Sequence, residues 1–306
     1  MADKILVTGG AGFIGSNLVE ALVKRGDEVI VIDKLLRGNK IPRDILPHVN
    51  LIEEDVRDFD AIDNASKGCK HIYHLAALLG VDIVADNPVE TMEVETIGLR
   101  NVATASIKNG VKKLIYASTS GIYGHSAIEK SVTEDITVDP RTSYAIAKRY
   151  NELYLAALYE EKNLDSVSIR FFNVYGKSQD ARMVIPRFIE QATKNQPLTV
   201  FAKGKQTRDF TYIDDTIKST ILLANTSGAQ GVFNVAKGEE MNILELAKMI
   251  KNLTNSSSEI NLVETSKKRY DFEVERRIGD SSKLKQCVNY KPETILREGL
   301  KRTYDL

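Results

Sequence analysis

The feature that most constrains this sequence is a short apolar run followed at once by closely spaced glycines. Lys4-Ile5-Leu6-Val7-Thr8 is typical of a buried parallel strand. The run Gly9-Gly10-Ala11-Gly12-Phe13-Ile14-Gly15 follows, and Phe13, Ile14, Leu18 and Leu22 then recur at helical spacing. Glycines 9, 12 and 15 match a dinucleotide-binding turn, in which small residues let a pyrophosphate and a helix approach the backbone. The pattern therefore predicts a strand, a phosphate-binding turn and a helix whose N-terminus faces the phosphates.

The strand and helix signals alternate through the first 175 residues. The next predicted strands are Glu28–Ile32, Asn50–Glu53, His71–Ala77, Leu114–Ala117 and Val167–Phe171. Two long helices are predicted, one from Pro88 to about Lys108 and one from about Thr142 to Glu161. This alternation predicts an α/β fold with a doubly wound parallel sheet and ligands at the carboxyl ends of its strands.

After Tyr175 the alternation changes. A helix over 183–194, a strand Leu198–Phe201 and the segments over 236–306 indicate a smaller C-terminal α/β substrate-binding domain. The strand Val232–Val235 is expected to return to the first sheet. We therefore predict a cofactor-binding domain over 1–175, with 207–235 returning to it, and a second domain over 176–306.

Small or acidic residues end the predicted strands of the first domain. Asp33 follows the second strand, where a carboxylate accepts both adenosine ribose hydroxyls and favours NAD over NADP, although Arg37 nearby weakens that preference. Asp55 and Val56 follow the third strand, where the adenine ring is expected; the alternative for Asp55 is a helix cap. The small residues Ala76 and Ala77 follow the fourth strand and leave room for phosphates and ribose.

A candidate catalytic group lies in the second long helix. Tyr144 and Lys148 are four residues apart and share one helix face. A phenol with a pKa near 10 is a poor base at neutral pH, and lowering that pKa to about 7 takes ~4 kcal/mol. An ammonium group and an oxidised nicotinamide together supply that stabilisation. Thr119, after the fifth strand, is placed to hold the same oxygen, but a solvated Tyr–Lys pair accounts for most such spacings.

Charge and cysteine content exclude several classes of function. Lys plus Arg and Asp plus Glu are equal at 42 each, so we expect no nucleic-acid partner and no attraction to anionic membranes. Cys69 and Cys287 are far apart and without a partner motif, which fits a cytoplasmic location. Three residues apart in a strand, His71 and His74 face opposite ways, so we expect no metal site there.

Six motifs in order give the sequence a family resemblance. It resembles the extended short-chain dehydrogenase/reductase family, namely the NAD-dependent nucleotide-sugar epimerases and dehydratases of the UDP-glucose 4-epimerase type. The motifs are Gly9–Gly15, His74–Ala77, the Thr119 loop ending Tyr123-Gly124, Tyr144 to Lys148, Phe172–Gly176 and Arg208–Asp215. The resemblance implies a Rossmann domain, bound NAD, a nucleoside-diphosphate sugar as substrate, UDP favoured, and a homodimer formed through the two long helices.

The same resemblance implies roles for individual residues. Tyr144 takes a sugar hydroxyl proton, usually at C4, Lys148 also binds the nicotinamide ribose, and Thr119 holds the reacting oxygen. The remaining substrate contacts that it implies are Ser120, Asn173, Phe201, Arg208 and a late arginine, for which Arg269 is chosen while Arg276 and Arg277 compete.

Departures from the family pattern bear on the reaction. The 4,6-dehydratases carry Asp and Glu after the Thr, because removing water needs an acid and a base, whereas this chain has Ser120 and Gly121. Decarboxylases of UDP-glucuronate usually keep a Glu at the Gly121 position, yet 180–184 and 206–208 resemble their substrate loop. The sequence therefore favours 4-epimerisation, with decarboxylation or C4 oxidation as alternatives and a non-catalytic NAD-binding regulator as a competing class. Glu95 occupies a position where the family usually has Asn, and the sequence offers no account of it.

Overall fold

The computed structural model describes residues 2–78, 81–127, 131–264 and 276–304. Its strands are β1 (Lys4–Thr8), β2 (Glu28–Asp33), β3 (Val49–Glu53), β4 (His71–His74), β5 (Lys113–Thr119), β6 (Ser166–Phe171), β7 (Asn173–Tyr175), β8 (Leu198–Phe201), β9 (Thr207–Arg208), β10 (Phe210–Tyr212), β11 (Gly231–Val235), β12 (Met241–Asn242) and β13 (Ile260–Val263). Its helices are α1 (Phe13–Arg25), α2 (Phe59–Ser66), α3 (Val81–Asp86), α4 (Pro88–Lys108), α5 (Ser143–Lys162), α6 (Val184–Thr193), α7 (Ile213–Asn225), α8 (Ile243–Leu253), α9 (Ser282–Val288) and α10 (Leu296–Tyr304).

The main sheet confirms the predicted doubly wound fold. Within the described residues it has seven strands in the order β11-β6-β5-β4-β1-β2-β3. β1 pairs in parallel with β2 on one side and β4 on the other, so that Leu6 lies between Ile30 and Ile72. The chain thus proceeds outward to β3 in one direction and to β6 in the other. That reversal of direction opens a crevice at the carboxyl ends of β1 and β4, where ligands of such sheets bind.

The long helices begin at the residues that their local chemistry specifies. Pro88 starts α4 at a position where its missing N–H removes no helical hydrogen bond. Thr142 caps α5, because its hydroxyl accepts a hydrogen bond from the Ala145 amide at 3.1 Å. Both helices pack against each other, and residues such as Leu99, Val102 and Leu155 join the strand residues in one buried cluster. The packing fixes the relation between two helix faces that the sequence shows only separately.

The N-terminal cap of α2 is Asp58, and not Asp55, for which the sequence offered a cap as the alternative role. α2 is capped by Asp58, whose Oδ1 accepts a hydrogen bond from the Ala61 amide at 2.9 Å. The Asp55 carboxylate instead accepts hydrogen bonds from the Arg57 side chain and from Lys34. The interpretation of Asp55 as the cap of α2 was therefore wrong, because three residues separate Asp55 from Phe59, the first residue of that helix.

A buried ion pair ties α5 to β6. The Arg170 guanidinium donates to both oxygens of the Glu152 carboxylate, at 2.9 and 2.8 Å, and both side chains are almost fully buried. Ser118 Oγ also donates to Glu152, at 2.6 Å. Breaking such a pair costs about 3 to 5 kcal/mol, because the remaining charge stays buried without its partner.

The chain divides into two compact units. The first comprises 1–122, 140–170 and 217–233, and the second comprises 123–139, 171–216 and 234–306. The division differs from the predicted domains over 123–139, 171–175, 207–216 and 234–235, all of which lie in the second unit. β10 pairs with β7 there. Along the parts of the chain that the structure describes, the helices lack the length and apolar character needed to cross a bilayer.

Candidate functional site

The turn between β1 and α1 leaves no space for side chains. Gly9 has a φ of +71°, and a Cβ there would lie 2.6 Å from the Ala76 amide nitrogen. A Cβ on Gly15 would lie 2.1 Å from the carbonyl oxygen of Gly9. A Cβ on Gly12 would lie 3.3 Å from the same oxygen. The three glycines therefore let the helix, the turn and the end of β4 lie in direct contact.

The N-terminus of α1 has no side-chain cap. Gly12 occupies the cap position, and the first amide of the helix bonded within it is that of Ser16, to the Gly12 carbonyl at 2.9 Å. The amides of Phe13 and Ile14 lie before Ser16 in the first turn of α1, where N–H groups have no acceptor within the helix. Such a terminus suits a phosphate, because donors and the positive end of the helix dipole point the same way.

The acidic residues expected around the adenosine lie at the ends of β2 and β3. Asp33 ends β2, where its carboxylate accepts hydrogen bonds from the amides of Ala11 and Leu35, both at 2.9 Å. Asp55 follows β3, and hydrogen bonds from Arg57 hold the pKa of its carboxyl well below its usual range. Val56 beside it is buried, while Ala76 and Ala77 after β4 are half-buried. All of these residues lie in the first unit at the carboxyl end of the sheet.

β5 ends on the first of the predicted catalytic residues. Thr119 is half-buried, and its hydroxyl oxygen accepts a hydrogen bond from the Gly121 amide at 3.0 Å. That contact orients the Thr119 side chain while its hydroxyl proton stays available for donation. Ser120 next to it is buried.

The first turns of α5 bring Tyr144 and Lys148 onto one face, as their spacing predicts. The Lys148 ammonium lies 5.4 Å from the centre of the Tyr144 ring and 4.7 Å from that of Tyr116 on β5. It donates to the Ala117 carbonyl at 2.7 Å and is almost fully buried. The structure thus places Lys148 between its own helix and the end of β5.

A buried carboxylate beside Lys148 was missed by the sequence argument. Glu95 Oε2 on α4 lies 3.0 Å from Lys148 Nζ, and Tyr116 donates to it at 3.2 Å. Asn151 on α5 donates to the Tyr116 hydroxyl at 2.7 Å and to the Glu95 backbone carbonyl at 3.1 Å. The unexplained acidic residue at 95 was the one signal of this cluster in the sequence.

The electrostatics around Tyr144 differ from those assumed for an isolated Tyr–Lys pair. Burial raises the pKa of the Tyr144 phenol, and the negative charge of Glu95 raises this pKa further. Burial also raises the pKa of Glu95, against the opposing effect of Lys148. His74, stacked on Tyr116, is neutral because burial lowers its pKa to about 3. Lys148 is therefore not the only charged group near the phenol, because Glu95 acts in the opposite direction.

The predicted substrate residues of the second unit lie on its short strands. Asn173 begins β7 and is exposed, Arg208 ends β9 and is half-buried, and Phe201 ends β8. The Arg187 guanidinium lies 5.3 Å from the centre of the Phe201 ring. Asp209, next to Arg208, is fully buried and accepts hydrogen bonds from three amides, those of Lys237, Gly238 and Gly279.

The structure distinguishes among the late arginines that it describes. Arg276 is engaged with Glu240, with nitrogen–oxygen distances of 2.8 and 3.1 Å. Burial and the nearby charge of Arg208 lower the pKa of Arg277 to about 9, and its buried Nε has no protein partner among the described residues. Two arginines in such proximity favour an anion beside them. Arg269, the residue that the sequence argument chose, lies outside the described residues.

Comparison with known proteins decides the family. Residues 5–236 match the model of the NAD dependent epimerase/dehydratase family. The chain belongs to this family. This match confirms the family that the six motifs predict. The protein is therefore an enzyme of the epimerase/dehydratase family, and its cofactor is NAD.

Three relatives show how close the similarity is. A UDP-N-acetyl-alpha-D-glucosaminuronate decarboxylase of Bacillus cytotoxicus is 36% identical, over 99% of this chain and 97% of the relative. The structure of a UDP-glucose 4-epimerase with UDP-glucose from Thermotoga maritima is 32% identical with a TM-score of 0.91, covering 99% and 97% of the two chains. A UDP-glucuronic acid 4-epimerase from Bacillus cereus, in complex with UDP-glucuronic acid and NAD, is 30% identical with a TM-score of 0.90, covering 99% and 98%.

The glycine turn generates a prediction about cofactor binding. Gly15→Ala should weaken NAD binding at least about 10-fold, because its Cβ would meet the Gly9 carbonyl and force α1 away from the turn. Isothermal titration calorimetry measures the effect. Gly110→Ala is the control for a strained backbone away from the turn, since Gly110 lies after α4 with a φ of +67° and has open space around its Cβ position. Equal affinities in the Gly15 and Gly110 variants would contradict the assigned role of the turn.

Proposed function

We propose that this enzyme is a nucleotide-sugar 4-epimerase of the UDP-hexose type. When bound, NAD would supply the hydride acceptor for C4 of the sugar and, once reduced, the hydride donor. The substrate passes through a 4-keto sugar, which turns within the site before the hydride is returned to its other face. There is no net oxidation, because the same cofactor and the same proton carrier serve both halves of the reaction.

The residues that carry this proposal lie in the first unit around α1, β5 and α5. The cofactor diphosphate is held by the turn residues Gly9, Gly12, Phe13, Ile14 and Gly15. Asp33 binds the adenosine ribose, and Asp55 and Val56 contact the adenine. Ala76 and Ala77 leave room for the phosphates and ribose of the cofactor. Tyr144 accepts the C4 hydroxyl proton and later returns it. Lys148 also binds the nicotinamide ribose, whereas Thr119 and Ser120 hold the reacting sugar oxygen. In the second unit, Arg208, Arg277 and Asn173 bind the diphosphate of the substrate, with Phe201 packing near its base.

The observation that carries 4-epimerisation is the absence of a side chain at Gly121. A Cβ there would lie 3.2 Å from Thr119 Oγ1 and 3.4 Å from Thr119 Cγ2. Glycine therefore keeps the space beside Thr119 open and adds no acid or base to it. Turning of a keto sugar needs that space, whereas elimination of water needs an acid and a base that Ser120 and Gly121 lack.

Decarboxylation is the second candidate, supported by the 36% identity to a uronate decarboxylase. A uronic acid oxidised at C4 carries its carboxylate on C5, the carbon next to the keto group. The keto group withdraws electrons as the C5–C6 bond breaks, carbon dioxide leaves, and C5 takes up a proton. The choice between the two reactions thus depends on the substrate as well as on the protein.

A panel of nucleotide sugars separates these reactions. We expect purified enzyme to convert UDP-glucose or UDP-N-acetylglucosamine to its C4 epimer without accumulation of NADH, as followed by NMR. UDP-glucuronate, dTDP-glucose and GDP-mannose complete the panel. Release of carbon dioxide from UDP-glucuronate with a pentose product would assign the enzyme as a decarboxylase instead, and a 6-deoxy product would contradict the proposal as well.

Removing the phenolic oxygen tests the proposed base. Tyr144→Phe should reduce turnover by at least ~100-fold, the usual scale for loss of a general base, while NAD stays bound. Turnover is measured on the best substrate of the panel, and cofactor content is measured by calorimetry. Tyr159→Phe is the matched control, because Tyr159 lies on the same helix and is exposed. Full activity in Tyr144→Phe would remove Tyr144 from the mechanism.

We further propose that two copies of the chain pair through α4 and α5. Ile146, Tyr150 and Leu153 recur at spacings of four and three on α5, and each is about half exposed. They form one apolar stripe on the surface of the helix. Stripes of this kind mark protein interfaces more often than solvated faces.

A charge within this stripe should separate the dimer. Leu153→Glu should weaken dimerisation at least ~100-fold, because burying an unpaired carboxylate is costly. Light scattering after size-exclusion chromatography should give about twice the 34.1 kDa chain mass for the wild type and the single-chain mass for the variant. Leu262→Glu is the matched control, since both leucines are 55% exposed. A single-chain mass for the wild type would contradict the dimer.

A further inference from the structure

We infer that Glu95 is a positioning residue that cancels the charge of Lys148 and keeps Tyr144 protonated until oxidised NAD is bound. The inference rests on the proposed role of Tyr144 as the base. It extends that role, because it assigns control of the base to a residue on another helix.

The first support is the contact itself. Glu95 Oε2 lies 3.0 Å from Lys148 Nζ, and both side chains are fully or almost fully buried. A second donor, the Tyr116 hydroxyl at 3.2 Å, holds the same oxygen. Asn151 fixes Tyr116 and the backbone of Glu95 through one amide nitrogen. The carboxylate is therefore held against the ammonium by α4, β5 and α5 together.

The second support is the charge of the surrounding groups. The titratable side chains facing Glu95 are Tyr116 from β5, Lys148 and Tyr144 from α5, with His74 from β4 behind Tyr116. Burial keeps His74 and both tyrosines neutral. Burial raises the pKa of Glu95, whereas the Lys148 ammonium at 3.0 Å and the Tyr116 hydroxyl favour its charged form. We take Glu95 and Lys148 as an ion pair, which places one negative and one positive charge beside Tyr144 within the described part of this cluster. The two charges oppose each other at Tyr144, and charges interact strongly in a buried site.

The third support is what this cancellation does for a reversible oxidation. Tyr144 has to be a base when the cofactor is oxidised and an acid when it is reduced. If Lys148 acted alone, its constant positive charge would stabilise the phenolate in both states. With Glu95 opposing Lys148, the protonation of Tyr144 depends more strongly on the positive charge of the nicotinamide ring, which oxidised NAD carries and NADH lacks. Proton transfer and hydride transfer are thereby linked in both directions.

The test follows the protonation of Tyr144 directly and needs no substrate. Protein carrying 13C-labelled tyrosine is titrated by NMR without cofactor, with NAD+ and with NADH, and Tyr144→Phe identifies the signal. In the wild type, the Tyr144 phenol should ionise at a lower pH with NAD+ than without cofactor or with NADH. In Glu95→Gln the midpoint of the Tyr144 titration should fall by about one pH unit or more without cofactor, with NAD+ and with NADH. This is the scale expected when one nearby charge is removed at an effective dielectric constant of ~20.

Two further variants at Glu95 separate charge from shape. Glu95→Asp keeps the charge and should return the midpoint toward the wild-type value. Glu95→Asn, which is neutral and smaller, should show the same fall as Glu95→Gln and replaces it if that variant is unstable. Glu152→Gln is the matched control: Glu152 is an equally buried glutamate on α5, but it pairs with Arg170 instead of Lys148, and Glu95 is the carboxylate that acts on Tyr144. It should lower the melting temperature and leave the midpoint of Tyr144 in place.

Each outcome bears on the inference. An unchanged midpoint in both neutral variants, in protein that still responds to NAD+, would overturn the role of Glu95 alone. A wild-type Tyr144 that does not respond to NAD+ would overturn this inference together with the proposed base. In the pH–rate profile, Glu95→Gln should move the acidic limb to lower pH, because removing the carboxylate lowers the phenol pKa. A structural role alone would lower stability and leave that limb where it is.

Discussion

The contact between Gly9 and Gly15 is the constraint on which the arrangement of the first unit depends. A Cβ on Gly15 would lie 2.1 Å from the Gly9 carbonyl oxygen, so α1 can start against the turn only with glycine there. The same closeness leaves the first amides of α1 at the carboxyl end of β1, beside the end of β4. The crevice where the strand order reverses therefore has donors already in place for a diphosphate.

A second constraint is the packing of α4 on α5, which brings together the proposed catalytic cluster. α5 alone presents Tyr144 and Lys148 on one face, and this follows from helix geometry. α4 adds Glu95 in contact with Lys148, and β5 adds Tyr116, which contacts both. The proposed base thus depends on three elements: α5 supplies the phenol and the ammonium, while α4 and β5 supply the groups that contact the ammonium.

The sequence predicted those parts of the structure that depend on local chemistry. β1, β8 and α4 begin and end as predicted, because apolar runs, glycines and Pro88 mark their boundaries. The parts that depend on distant contacts were not predictable. Asp55 and Asp58 both suit a helix cap in sequence, and the choice follows from where α2 starts. Arg276 and Arg277 are adjacent, yet a carboxylate engages one and the charge of Arg208 acts on the other.

Glu95 shows why a Tyr–Lys motif does not by itself define a base. The motif predicts an ammonium that stabilises a phenolate, and the same four-residue spacing is compatible with that ammonium being neutralised by a carboxylate from another helix. A neutralised pair leaves the phenol responsive to the cofactor charge, which changes between the two halves of a reversible oxidation. For an enzyme that returns its hydride, a proton carrier that changes state with the cofactor is worth more than a permanently strong base. The departure at position 95 and the absence of a second acid at Gly121 are therefore consistent with one chemistry, in which one proton and one hydride leave the sugar and return to it.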